Sequence, residues 1–124
     1  MRYMNLLRSR AKMVRDWRIW VGRIADAAEQ TLPDVEVYVV GSVVRGDWVG
    51  GSDVDILLVS RNLPEGMLGR AEIRSQVEDG AKLPAVHPFE IHLVSPGEAE
   101  AHFRKAGKDI VKHARCSRPD CGES

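Results

Sequence analysis

The chain has 124 residues, 44% of them apolar and 29% charged, which fits one globular domain and excludes a disordered protein. Its 18 basic and 18 acidic side chains cancel, so the basic excess expected of a protein that grips a long nucleic acid is missing. No run approaches the roughly 20 apolar residues needed to span a bilayer, and the N-terminus lacks a signal-peptide pattern, so a cytoplasmic location is expected.

The first 32 residues carry seven basic and three acidic side chains, leaving the remainder with a net charge of −4. From Met4 to about Thr31 there is no proline, and Val14, Trp17, Val21, Ile24 and Ala28 recur at spacings of three and four. That periodicity predicts one long amphipathic helix, ended by Pro33, with the tryptophans inward and Arg10, Arg15, Arg18 and Arg23 largely outside the stripe. The basic face is read as solvated, or else as a docking surface for a protein partner. Exposed tryptophan on this helix would also suit a homo- or hetero-oligomer.

Val35 to Val40 is rich in β-branched residues and reads as a strand that runs into Gly41-Ser42. Val43 to Ser52 contains Gly46, Gly50 and Gly51 and is expected to be a loop or broken helical turn. Val54 to Ser60 is a second strand, apolar beyond Asp55 as a strand covered on both faces should be. Pro64 to Gly80 reads as a helix and Phe89 to Val94 as a third strand. Ser95 then caps a further helix, with Pro96 at its first position, running to about Lys105. Asp109 to His113 fits either a short strand or a helical extension. Such an order implies an α/β fold, a small mixed sheet packed with helices. The domain is assigned to residues 1–115, and residues 116–124 to a flexible tail. His113, Cys116 and Cys121 could supply three zinc ligands but fit no common zinc spacing, and the cysteines are read as free thiols.

Chemistry concentrates between Gly41 and Asp55. A Gly-Ser pair at a strand end offers backbone N–H groups and a hydroxyl at close approach, suited to phosphate oxygens. Asp53 and Asp55 lie two apart, so on a strand they share a face at roughly 6.6 Å along the chain. Carboxylates aimed at one place repel unless a cation separates them, and Mg²⁺ is the hard ion that combines one or two carboxylates with phosphates.

Gly41-Ser42, ten residues, then Asp53-Val54-Asp55 resembles the signature of the DNA polymerase β-like nucleotidyltransferase superfamily. The Arg45-Gly46-Asp47 and Gly51-Ser52-Asp53-Val54-Asp55-Ile56 context is similar to its minimal nucleotidyltransferase branch. The resemblance implies a nucleotidyltransferase fold with Gly41, Ser42, Arg45 and Ser52 as nucleotide-binding residues. It also implies Asp53 and Asp55 as metal-binding catalytic residues, with Glu90 as the third carboxylate and general base; a solvent-facing Glu90 is the alternative. His92 shares Glu90's strand face and is read as a neighbour of the site. Arg45 would neutralise a phosphate or pair with a carboxylate of its own loop, and Asp47 would stabilise that loop. Lys105, Lys108 and Lys112 are read as surface solvation.

What the resemblance implies for function is Mg²⁺-dependent transfer of a nucleoside monophosphate, AMP from ATP or another NTP, to a hydroxyl acceptor. The minimal branch is often paired with HEPN-type toxins, which implies an antitoxin role, some members transferring AMP to a tyrosine of the toxin. The alternatives are a module that neutralises its partner by contact alone, and a transferase acting on a small molecule.

Overall fold

A computed structural model of the chain describes residues 2–46 and 53–113, with side chains from residue 8 onward. The elements run α1 (Arg2–Arg15), α2 (Trp17–Thr31), β1 (Glu36–Val40), α3 (Ser42–Arg45), β2 (Val54–Val59), α4 (Met67–Gly80), β3 (Phe89–Val94), α5 (Pro96–Ala106) and β4 (Ile110–His113). One mixed sheet has the order β3-β2-β1-β4. β1 pairs antiparallel with both β2 and β4, and β2 pairs parallel with β3 across the α4 crossover. This is the α/β architecture expected from the order of the segments.

Strand alternation divides the core in two. Val37 and Val39 of β1, Val54, Ile56 and Leu58 of β2, and Phe89, Ile91 and Leu93 of β3 face α1, α2 and α4. Val14, Trp17, Val21, Ile24 and Ala28 are all buried in that layer, as their helical spacing requires. On the opposite face Leu57 and Val59 of β2, Val40 of β1 and Val94 of β3 pack with Ala99, Phe103 and Ala106 of α5. β2 is therefore covered on both sides, which accounts for its unbroken apolar run after Asp55.

The N-terminal segment is two helices rather than one. At Asp16 the backbone leaves the helical region (φ −98°, ψ 28°), and the amides of Ile19 and Trp20 both point to the Asp16 carbonyl, at 3.0 and 3.4 Å. Aspartate has a low helix propensity, and the bend falls on it without a side-chain cap bond. Because the apolar stripe continues through the bend, periodicity alone does not reveal it. The undecided C-terminal segment is strand β4, which extends the sheet beyond β1. The expected tail, Cys116 and Cys121 lie outside the described residues.

α5 starts with the capping box that Ser95 and Glu98 predict. Ser95 Oγ accepts from the Glu98 amide at 3.2 Å, and Glu98 Oε1 accepts from the Ser95 amide at 2.8 Å. Arg70 of α4 joins the cap: its guanidinium donates to Glu98 Oε1 at 2.8 Å and to the Leu93 carbonyl at 3.2 Å. The Ser95 amide, with Arg70 beside it, brings the Glu98 carboxyl down to about 2, from an ordinary 4.5.

A folded-state value below the unfolded one means that this stabilisation is complete above pH 4.5 and disappears as the pH falls towards 2. Urea unfolding of Glu98→Gln should show lower stability than the parent at pH 7 and a difference that closes by pH 2. Loss of the Ser95 hydroxyl in Ser95→Ala should cost about 1 kcal/mol in the same measurement.

Candidate active site

Register and strand parity assemble the site. Asp55 is paired with Glu90 across the parallel β2–β3 ladder and with Val40 across β1–β2. Being at an odd position of β2, Asp55 points to the α5 side, where the even positions of β3 place Glu90 and His92. α5 covers the Leu57 and Val59 end of that face, and the Asp55 end is left open. A cavity of about 470 Å³ occupies the opening, lined by Gly41, Ser42, Arg45, Asp55, Glu90 and His92 together with residues of α5 and the turn after it.

Gly41 ends β1 with φ +102° and ψ −166°, a conformation that side chains rarely adopt, and this lets the chain turn at once into the short helix α3. A Cβ placed there would lie 3.6 Å from Asp55 Oδ2, so the backbone of Gly41 passes directly beside the carboxylate. The Gly41 amide donates to the carbonyl of Asp109 at 3.0 Å. Ser42 follows at the first position of α3 and lines the cavity.

Asp55, Glu90 and His92 each offer a ligand atom within 4.8 Å of the others. His92 Nε2 lies 3.3 Å from Asp55 Oδ1. A hydrogen bond with Asp55, and the negative charges of Asp53 and Asp55, hold the Glu90 carboxyl above its ordinary value of 4.5; His92 offsets part of this. Such a concentration of carboxylate charge is what a divalent cation relieves. Two carboxylates suit Mg²⁺ or Mn²⁺, and an imidazole beside them adds a nitrogen donor. The donor set therefore fits a divalent ion, with His92 closer to it than its sequence position alone implied.

Asp53 stands near enough to Glu90 for its charge to act there, and its carboxylate is engaged by another element. It precedes β2, is exposed, and is ion-paired with Arg10, which reaches across from α1. No local motif points to Arg10, since forty-three positions separate the two residues. Arg45 lines the cavity and is paired with Asp109, in the turn before β4. Ser52 and Asp47 lie outside the described residues. The face of α5 supplies a further wall with His102, Lys105 and Ala106, none of which the sequence reading assigned to the site. His102 stands against His92, with ring centroids 5.5 Å apart.

Comparison with known proteins agrees with this geometry. Residues 21–115 match the family described as nucleotidyltransferase domain. A crystal structure described as a "putative nucleotidyltransferase" is 27% identical, with a TM-score of 0.59, over 73% of this chain and 94% of its own. A second so described, from Sulfolobus solfataricus, is 22% identical with a TM-score of 0.52 over 88% and 83%, and shares the fold. No curated protein matches the sequence. With most of the chain matched, and with Gly41-Ser42, Asp55 and Glu90 gathered at one cavity, this chain belongs to the nucleotidyltransferase domain family.

Proposed function

We propose that the chain is a Mg²⁺-dependent nucleotidyltransferase that moves the nucleoside monophosphate of an NTP, AMP from ATP, onto a hydroxyl acceptor. The observation that carries this reading is the register pair Asp55 and Glu90, facing the cavity that Gly41 and Ser42 border. Asp53, Asp55 and Glu90 would hold the metal, and bound Mg²⁺ would neutralise charge on the triphosphate. Gly41-Ser42 and Arg45 receive the phosphates, which fixes the α-phosphorus for in-line attack. Glu90, whose basicity its neighbours raise, takes the acceptor proton. The acceptor oxygen forms the new bond to the α-phosphorus, the bond from that phosphorus to the bridging oxygen breaks, and pyrophosphate leaves. A second hollow of about 290 Å³ lies across the His92–His102 pair, beside Met67 and Arg74, and offers room for the acceptor.

The proposed biological role is that of the antitoxin paired with a HEPN-type protein. The motif context of the minimal branch supports it, and so do the large apolar side chains left exposed on two helices. These are Ile19 on α2, 63% exposed, and Met67 and Leu68 on α4, each 88% exposed. A contact-only neutraliser is the second reading; the engagement of Asp53 by Arg10 favours it, because a carboxylate already paired is less available to a metal.

Calorimetry with Mg²⁺–ATP separates these readings. Since removing residues that merely orient a metal ligand already costs about 10–100-fold in affinity, the Asp53→Ala, Asp55→Ala double variant should weaken binding by at least that much while staying folded. No binding by the folded parent would remove the catalytic reading and leave contact neutralisation, which rescue from toxicity by the double variant would then show. Arg10→Ala should raise Mg²⁺ affinity. A partly exposed ion pair contributes up to about 1 kcal/mol, so the gain is limited to about fivefold.

A further inference from the structure

The wall that α5 gives the cavity carries a cation that the reading so far leaves without a task. His102, Lys105 and Ala106 are spaced three and four apart, so they lie along one face of α5, and all of them line the cavity that holds Ser42, Asp55 and Glu90. The neighbouring Arg104 and Lys108 do not line it. Two cations border this space, Arg45 and Lys105. Arg45 is engaged by Asp109, whereas Lys105 has no carboxylate partner among the described residues.

The position of Lys105 relative to the Gly41-Ser42 turn is fixed by the backbone. The Asp109 amide donates to the Ala106 carbonyl at 3.1 Å, and the Asp109 carbonyl accepts from the Gly41 amide at 3.0 Å. The Asp109 carboxylate in turn holds Arg45. One residue thus ties the end of α5 both to the strand end that precedes Ser42 and to the helix that follows it.

A nucleoside triphosphate carries about four negative charges, and one divalent ion at the Asp55–Glu90 end leaves about two uncompensated on the outer phosphates. An ammonium on a flexible stem is suited to follow such a mobile anionic group as a point charge. We propose that Lys105 is a nucleotide-binding residue that contacts the outer phosphates from α5, across the cavity from Ser42. The proposal rests on the nucleotidyltransferase reading of this cavity and adds a side chain from α5 to its phosphate site.

The test is calorimetry with Mg²⁺–ATP on the full chain, with thermal melting as the check on folding. The variants are Lys105→Ala, Lys105→Arg and, as a charge control off the cavity, Lys108→Ala. Charge-assisted hydrogen bonds that remain partly solvated give differences of about tenfold, so Lys105→Ala should raise Kd about tenfold. Lys105→Arg should recover most of that loss, and Lys108→Ala should stay within about twofold of the parent. Unchanged affinity in a folded Lys105→Ala overturns the proposal, as does an equal loss in Lys108→Ala, which would mark a general field rather than a contact. Absence of Mg²⁺–ATP binding by the parent would instead overturn the nucleotidyltransferase reading, and this proposal with it.

Discussion

Parity along β2 governs both halves of the molecule. Its even residues, Val54, Ile56 and Leu58, must face the layer made by α1, α2 and α4, and that leaves Asp55, Leu57 and Val59 for the other side. Slipping the strand by one residue would bury Asp55 under three helices and move Val54, Ile56 and Leu58 to the face that α5 covers only in part, at several kcal/mol for the buried charge alone. Apolar burial therefore fixes the direction of a charged side chain that takes no part in the core. The parallel ladder with β3 then sets Glu90 beside it, because register pairs on one face are neighbours.

Helix α5 completes the arrangement by being short. It covers Leu57, Val59 and Val94 and stops at Ala106, so the apolar part of the outer face is sealed and the acidic end remains accessible. Its start is set by the Ser95–Glu98 box with Arg70 behind it, and its end by the backbone link from Asp109 to Gly41. The cavity is thus bounded by elements whose ends are pinned by hydrogen bonds rather than by loose packing. Such preorganisation suits a reaction in which placement and charge supply most of the rate.

Local pattern carried much of this into the sequence, and its limits are equally physical. β-branched runs mark β1 and β2, and the bounding prolines and serine mark β3 and α5 to within a residue. Gly41-Ser42 and Asp55 are legible because a strand end, a glycine and a carboxylate are local features. The bend at Asp16 escapes notice because the apolar stripe keeps its phase through it. β4 is ambiguous as four residues, since only its partner, β1, shows what it is. Arg10, His102 and Lys105 were not assignable for a similar reason: nothing within several residues of them differs from an ordinary solvated helix face. They reach the site through the tertiary fold alone.

The bond between the Gly41 amide and the Asp109 carbonyl, with the β1–β4 pairing beside it, bears on the order in which the molecule is made. β1 pairs first with β2, which follows it closely, but its other edge waits for residues 110–113, about seventy positions further along the chain. Contacts of such sequence separation add to the loop-closure cost and slow folding. On the ribosome, β1 to β3 and their helices can consolidate while the Gly41 turn still lacks its tether. The last wall of the cleft can close only after β4 has emerged, so the strands that carry Asp55 and Glu90 are made well before the edge that tethers Gly41.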